Sequence, residues 1–170
     1  MRKLILFITL PLFVLDILTK QYIVSNFPDP EMIDPGTGRV VPVIDGFFSI
    51  VRVHNRGVAF GLGNHTEWAN VVFGCVTVAA LALIWWLCRT NAFPTKTSKV
   101  AVALLLSGVF GNLLDRFLRG YVVDFLHFYV GERQWPSFNV ADSCICIAAG
   151  LLFISAFQKA PVVKPKEQNA

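Results

Sequence analysis

Four apolar runs of membrane length dominate the sequence and limit the folds that are open to it. A bilayer core of about 30 Å needs roughly 20 helical residues at 1.5 Å each. The runs lie at about Leu4–Val24, Trp68–Cys88, Lys99–Leu118 and Asn139–Phe157. Of the 170 residues, 55% are hydrophobic and only 15% are charged, against about 25% charged in ordinary soluble chains. The sequence therefore predicts a single membrane domain over residues 1–170, an all-α bundle of four transmembrane helices.

Basic residues flank these runs and predict their orientation. They precede the first run, separate the second from the third, and follow the fourth: Arg2, Lys3, Arg89, Lys96, Lys99, Lys159, Lys164 and Lys166. Positive residues mark the cytoplasmic side, so both termini are expected in the cytoplasm, with residues 25–67 and 119–138 outside and a cytoplasmic tail over 158–170. The net charge of +4 then needs no nucleic-acid partner. The first run resembles a cleavable signal peptide, but Asp16 and Lys20 interrupt it and no small-residue cleavage site follows, so we interpret it as a retained helix.

The first outer segment, residues 25–67, is expected to form a small sheet. Its first half, Pro28–Gly38, is rich in proline, aspartate and glycine and is typical of a loop. Its second half, Phe47–Phe60, is rich in phenylalanine, valine and isoleucine and predicts strands. We therefore expect an extracytoplasmic β-sheet between helices 1 and 2. The second outer segment carries aromatic residues suited to the lipid headgroup level, namely Phe125, Phe128, Tyr129 and Trp135.

Four aspartates lie inside or against the apolar runs: Asp16, Asp115, Asp124 and Asp142. A charged side chain at a membrane helix centre costs roughly 2.5–3.5 kcal/mol on insertion scales, so such a residue usually serves chemistry or transport. Asp16 lies about 18 Å, and Asp115 about 24 Å, along outward-running helices at 1.5 Å per residue. Asp124 lies in the outer connection just after the third run, and Asp142 lies three residues into the returning fourth run, near the outer face. All four are therefore expected in the outer half of the membrane or at its rim.

Local partners divide the four carboxylates. Asp16 and Lys20 are four residues apart and share a helical face. Two more sets have spacings of three or four residues: Asn112, Asp115, Arg116 and Arg119 on the third run, and Asn139 with Asp142 on the fourth. Polar clamps that hold the helices together are a structural alternative, as weighty as a functional role for Asp16 and Asp115. That alternative is weaker for Asp124 and Asp142, which have no lysine or arginine within four positions.

Two carboxylates without cationic partners suit the dyad of an aspartic protease, in which like charges share one proton. The ionised member takes a proton from water and the protonated member supports the developing oxyanion, without a metal or a cofactor. His54, His65 and His127 are isolated in the sequence, and neither an HExxH nor a GxSxG motif occurs. A cation-coupled transporter and a non-enzymatic scaffold remain alternatives. The transporter is disfavoured because the acids lie toward one face and no repeat is visible.

Five short motifs, in order along the chain, carry a family resemblance. They are Asp16–Lys20 (DILTK), Asn55–Gly61 (NRGVAFG), Gly111–Arg116 (GNLLDR), Val123–Phe125 (VDF) and Phe138–Ser143 (FNVADS). Each motif is weak alone, but the ordered set is specific and covers nearly all of the chain apart from the C-terminal tail. The chain resembles the lipoprotein signal peptidases (signal peptidase II), membrane aspartic proteases of bacteria. One departure is Val58, where the usual pattern has alanine, which adds bulk beside Asn55.

The resemblance implies an endopeptidase that removes the signal peptide from diacylglyceryl-modified prolipoproteins, cutting just before the lipidated cysteine. It implies that Asp124 and Asp142 are the catalytic pair and that the sheet is the family's cradle. The implied supporting and substrate-binding residues are Asp16, Lys20, Asn55, Asn112, Asp115, Arg116 and Asn139. Prolipoproteins and membrane lipid are the expected partners of a monomer in the bacterial inner membrane, and the cyclic-peptide antibiotic globomycin, which targets this family, is the expected inhibitor.

One alternative within the site stays open on spacing alone. Asp115 belongs to a motif as strong as that of Asp124, so Asp115 could pair with Asp142 instead. Asp124 is favoured because it lies at the rim, where water and a scissile bond can both arrive. Asp115 is followed by Arg116 and suits a charge network.

Overall fold

The computed structural model describes residues 2–34, 38–57 and 69–158. The helices are α1 (Arg2–Leu4), which continues through a π-helical turn (Ile5–Thr9) into α2 (Leu10–Asn26), then α3 (Ala69–Arg89), α4 (Lys96–Arg119) and α5 (Val140–Ala156). The strands are β1 (Val41–Ile44), β2 (Phe48–Asn55), β3 (Val122–Val130) and β4 (Arg133–Gln134). Helices with one small antiparallel sheet agree with the expected fold class. Val58, His65, the motif residues after Gly57 and the tail after Gln158 lie outside the described residues.

Within the described residues, three helical segments are long and apolar enough to cross a membrane: Ile5–Asn26, Val71–Arg89 and Lys96–Arg119. The last of these starts before the predicted Lys99 because the Thr95 hydroxyl caps it, accepting from the Ser98 N–H at 2.9 Å. Gly120, at φ 77°, ends it in the left-handed conformation that favours glycine. The fourth apolar helix, α5, has 17 residues and so rises about 26 Å at 1.5 Å per residue.

The first helix widens into its π-helical turn just before Pro11. Proline has no N–H, so the ordinary helical hydrogen bond to the carbonyl four residues earlier is missing there. The Thr9 hydroxyl donates to the Ala103 carbonyl at 2.8 Å and joins this turn to α4.

The sheet draws strands from two connections, the one between α2 and α3 and the one between α4 and α5, in the order β1-β2-β3-β4. This corrects the prediction of a sheet formed between helices 1 and 2 alone, since β3 and β4 follow α4. Asp124 consequently lies in a strand, where it pairs with Val53, while Asn55 pairs with Val122. The sequence did not indicate β3 because its first residues are buried on both faces, so the two-residue alternation of a half-buried strand is absent.

Close contacts at two places position the polar residues. Where the end of α2 meets the sheet, a hydrophobic cluster contains Ile23, Phe27, Val123 and Phe125. Where α4 meets α2 and α5, a Cβ on Gly111 would lie 2.5 Å from Asp16 Oδ2 and 3.1 Å from Ala141 Cβ. Only glycine lets these three helices approach so closely, as small residues do in membrane bundles. The start of α5 is thereby placed beside the polar residues of α2 and α4.

Candidate active site

Asp124 on β3 and Asp142 in the first turn of α5 are connected through one asparagine. Asn139 caps α5: its Oδ1 accepts from the Asp142 N–H at 2.9 Å, and its own N–H donates to Asp142 Oδ2 at 3.2 Å. The same side chain donates through Nδ2 to Asp124 Oδ1 at 2.7 Å. The two aspartates of the predicted dyad are therefore brought to the same asparagine from two separate elements.

Two further amides complete the contacts of the pair. Asn112 of α4 donates through Nδ2 to Asp142 Oδ1 at 2.7 Å and accepts from Asn139 Nδ2 at 3.2 Å. Asn55 of β2 donates through Nδ2 to Asp124 Oδ2 at 3.0 Å. Across residues 2–34, 38–57 and 69–158, neither carboxylate forms an ion pair. Both acids are thus oriented by neutral donors.

Burial changes the protonation of Asp124. The residue is 2% exposed. Its desolvation and then the nearby charge of Asp142 raise the pKa of Asp124 to about 7, while hydrogen bonds from Asn55 and Asn139 act in the opposite direction. Asp142 is half-buried. Near neutral pH the pair can therefore hold one proton on Asp124 while Asp142 remains accessible to water.

A second group of charges lies beside the pair, and we call it the charged layer: Asp16, Lys20, Asp115 and Arg119. Lys20 Nζ lies 2.8 Å from Asp16 Oδ2 and 3.1 Å from Asp115 Oδ2, and the lysine and Asp16 side chains are each 1% exposed. Lys20 also donates to Asn112 Oδ1 at 3.0 Å. The Asp16–Lys20 pair expected from spacing is present, but the lysine serves Asp115 as well.

The two arginines near Asp115 have different partners. Arg119 forms an ion pair with Asp115 and also donates to Gln21 Oε1 at 2.9 Å. The Arg116 guanidinium lies 5.5 Å from the centroid of the Phe73 ring, and its Nη1 donates to the Asn112 carbonyl at 3.4 Å. Its positive charge acts on Asp115, Asp124 and Asp142. Of the two arginines spaced three or four residues from a neighbouring polar group on this helix, Arg119 is therefore the one that forms an ion pair with Asp115.

Backbone donors link the charged layer to the pair, and sequence reasoning missed them because a backbone N–H has no residue signature. Asp16 Oδ1 accepts from the Ala141 N–H at 2.9 Å, directly before Asp142 in the chain. Asp115 Oδ2 accepts from the Val123 N–H at 3.1 Å, directly before Asp124. Each acid of the charged layer therefore holds the backbone that carries one acid of the pair.

Two of the histidines form polar contacts. His54 Nδ1 lies 3.0 Å from Glu31 Oε1, and its Nε2 accepts from Arg52 Nε at 3.1 Å. His127 contacts Ser137 Oγ at 3.2 Å. Over the part of the chain that the structure describes, no group of three or more histidine, cysteine or acidic residues could hold a metal ion.

Comparisons with known proteins agree on one family. The chain matches the family model described as signal peptidase (SPase) II over residues 8–158. A lipoprotein signal peptidase of Pseudoalteromonas translucida is 38% identical over 167 residues, which cover 97% of this chain and 93% of the relative. One from Alteromonas mediterranea is 42% identical over 125 residues, covering 72% and 67%. A solved structure described as a bacterial membrane enzyme has a TM-score of 0.74 at 28% identity and covers 94% of each chain.

These matches confirm the resemblance that the five motifs carried and the prediction that the protein is a hydrolase. The apolar helices fit a membrane enzyme with several crossings. The family match includes every residue of the described site. The chain therefore belongs to the signal peptidase II family of bacterial membrane proteases.

Proposed function

We propose that this protein removes the signal peptide from diacylglyceryl-modified prolipoproteins, cutting before the lipidated cysteine, with Asp124 and Asp142 as its catalytic dyad. Membership of the family supports the substrate class. The observation that carries the chemistry is a pair of buried or half-buried carboxylates held by neutral amides, with a proton near neutral pH on Asp124. Such a pair hydrolyses a peptide without a metal or a covalent intermediate.

Asp142 is assigned as the base and Asp124 as the acid. Asp142 takes a proton from water, and the water oxygen bonds to the scissile carbonyl carbon while the carbonyl electron pair moves onto oxygen. Protonated Asp124 donates a hydrogen bond to that oxyanion. When the intermediate collapses, the C–N bond breaks and the leaving amine takes the proton from Asp142. Water is consumed, and both acids return to their first state.

Asp115 is assigned to support and not to the dyad. Its carboxylate is engaged by Lys20, by Arg119 and by the Val123 N–H. These contacts occupy both carboxylate oxygens: Oδ1 binds Arg119, and Oδ2 binds Lys20 and the Val123 N–H. Asp16, Lys20 and Asn112 are assigned to support as well: Asp16 binds the Ala141 N–H beside Asp142, and Lys20 binds Asn112, which donates to Asp142.

The proposed topology has four crossings, with α5 as the fourth and shortest. Basic residues at the start of α1, between α3 and α4 and in the C-terminal tail support cytoplasmic termini. The sheet and the dyad then lie at the extracytoplasmic face of the inner membrane. We propose that the protein acts there as a monomer surrounded by lipid, as one domain over residues 1–170.

Incubation with a diacylglyceryl-modified precursor, with and without globomycin, tests this proposal. Asp124→Asn and Asp142→Asn should each reduce cleavage by about 10²–10⁴-fold, the range for a general acid or base. Asp45→Asn is the matched control, because Asp45 lies exposed in the turn between β1 and β2. Near-normal processing by either dyad variant would overturn the assignment. A pH-dependent ion flux in liposomes that the double dyad variant lacks would favour the transporter instead.

A further inference from the structure

A cluster of polar side chains lies across β2 from the dyad, and we call it the His54 cluster: Asp29, Glu31, Arg52, His54, Arg56 and Tyr121. In the register of β2 and β3, Val53 pairs with Asp124 and Asn55 pairs with Val122. Because side chains alternate along a strand, Asn55 and Asp124 point to one face and His54 points to the other. The cluster therefore contacts the strand that carries Asn55 without contacting the dyad.

His54 is the centre of this cluster. Its ring stacks on Tyr121 at 3.7 Å between centroids, and its side chain is 4% exposed. Nε2 accepts from Arg52 Nε at 3.1 Å while Nδ1 lies 3.0 Å from Glu31 Oε1. A neutral ring with its proton on Nδ1 satisfies both contacts.

Other residues of the cluster connect β2 to the end of α2 and to the segment that follows it. Arg52 Nη1 donates to the Phe27 carbonyl at 2.9 Å and to the Val24 carbonyl at 3.2 Å, at the C-terminal end of α2, and Arg52 Nη2 lies 3.1 Å from Asp29 Oδ2. Glu31 is oriented by its own N–H, which donates to Asp29 Oδ1 at 2.9 Å.

Asn55 lies between His54 and Arg56 in the sequence, and both of these neighbours bind Glu31. His54 Nδ1 contacts the Glu31 carboxylate, and Arg56 forms an ion pair with it at 2.7 Å. The Arg56 guanidinium also lies 5.9 Å from the centroid of the Tyr121 ring. Both neighbours of Asn55 are thus fixed to one short segment.

We propose that the His54 cluster is a positioning device, which fixes β2 on both sides of Asn55 and so keeps the Asn55 amide hydrogen-bonded to Asp124. The proposal rests on the proposed function, because Asp124 matters here as a member of the dyad. Asn55 donates to Asp124 Oδ2 at 3.0 Å, and a small displacement of the strand end lengthens that bond. His54 and Glu31 then act on the chemistry through Asn55 and touch neither the substrate nor the dyad.

Protonation of His54 opposes this arrangement. A charged ring has a proton on each nitrogen, so Nε2 can no longer accept from Arg52. The groups that face the ring or its partners are the cations Arg52 and Arg56, the anions Asp29 and Glu31, and Tyr121. Desolvation lowers the pKa of His54 despite the two carboxylates, so the ring is neutral at neutral pH. The unfolded chain binds this proton more readily, so the cluster loses stability as pH falls below the ordinary histidine value of about 6.5.

A double-variant cycle on cleavage tests the proposal. His54→Phe retains the stacking on Tyr121 but loses both hydrogen bonds, so kcat should fall about tenfold, which corresponds to one hydrogen bond, while KM changes little. The alkaline limb of its pH profile should move to higher pH, because Asp124 loses a hydrogen bond that favours its ionised form. Asn55→Ala should shift the limb in the same direction, and the double variant should be no worse than Asn55→Ala.

Two further variants distinguish a loss of positioning from a simple loss of folding. His54→Gln retains one acceptor and one donor but does not titrate, so it should extend activity to lower pH than in the parent. His127→Gln is the matched control on the same sheet and should retain the parent profile. Effects of His54→Phe and Asn55→Ala that multiply, or an unchanged acid limb in His54→Gln, would overturn the proposal. Failure of the dyad assignment is distinguished separately, because it appears as activity in Asp124→Asn or Asp142→Asn.

Discussion

The charged layer and the dyad are neighbouring groups of buried carboxylates with opposite partners. Asp16 and Asp115 share the ammonium group of Lys20, and Arg119 also pairs with Asp115, so two cations balance the two carboxylates. Asp124 and Asp142 contact the amides of Asn55, Asn112 and Asn139. Amide donors orient a carboxylate without supplying an opposite charge, so they do not cancel the desolvation and the Asp142 charge that raise the pKa of Asp124 to about 7. Aspartate thus has two roles in this protein, and whether its partner is a cation or an amide determines the role.

The two groups are mechanically linked. The charged layer binds the N–H groups of Ala141 and Val123, each of which precedes one acid of the dyad. The difference between the groups predicts that changes to the charged layer reduce stability first, and that changes to the dyad reduce catalysis first.

Removing the shared cation should have the largest effect. Lys20→Met leaves Asp16 and Asp115 with an uncompensated buried charge, which costs about 3–5 kcal/mol of unfolding free energy when one partner of a buried pair is lost. Thermal unfolding in detergent measures this loss. Lys96→Met, at an exposed lysine at the start of α4, is the control and should stay within about 0.5 kcal/mol of the parent. A parental melting temperature for Lys20→Met would show that the charged layer does not carry stability.

The proposed protonation of Asp124 should be visible in the pH dependence of cleavage by the parent enzyme. On the proposed assignment Asp124 must be protonated to support the oxyanion, and burial raises its pKa to about 7. The cleavage rate should therefore fall as pH rises through that value, approaching about tenfold per pH unit above it. Unfolding measured over the same pH range separates this limb from a loss of the folded state. A rate that stays constant from neutral pH to two units above it would contradict the assignment of Asp124 as the acid.

The close approach of α4 to α2 and α5 at Gly111 can be tested by adding one methyl group there. Gly111→Ala places a methyl group 2.5 Å from Asp16 Oδ2, so the Asp16–Lys20 pair or a helix must move. Overpacking of this kind costs about 1–3 kcal/mol. Gly150→Ala on α5 is the matched control, because nothing lies within 4 Å of its added Cβ. If both variants melt at the same temperature, the approach of α4 to Asp16 is not as close as described.

The smallest effect is expected at the rim of the charged layer. The Arg119 side chain is 19% exposed, and Asp115 retains Lys20 when this arginine is lost. Arg119→Gln should therefore cost about 1 kcal/mol, the upper range for an exposed pair. A loss as large as that of Lys20→Met would mean that Arg119, and not Lys20, balances Asp115.

The sequence predicted those helices and side-chain pairs whose interacting groups are close together in the chain. The apolar runs located the helices, and the four-residue spacing located the Asp16–Lys20 pair. Asn139 and Asp142 were expected to be neighbours, and the capping box accounts for it. In these cases the interacting groups lie within one or two helical turns.

Contacts between distant segments were beyond reach of the same reasoning. The bond between Lys20 and Asn112 joins residues 92 positions apart, and the Asp16–Ala141 bond joins residues 125 apart. Spacing offers no signal for such pairs. The contact between His54 and Glu31 had no sequence signal for the same reason, since Glu31 lies 23 positions before His54.

The pairing of β2 with β3 has a consequence for biosynthesis. Asn55 leaves the ribosome 69 residues before Asp124, and Asn112 leaves it 30 residues before Asp142. A nascent chain that has completed α4 already contains Asn55 and Asn112 but neither acid of the proposed dyad. The proposed dyad is consequently incomplete until the first turn of α5 has been synthesised. On this assignment, the order of synthesis alone withholds the dyad while α1 to α4 are made.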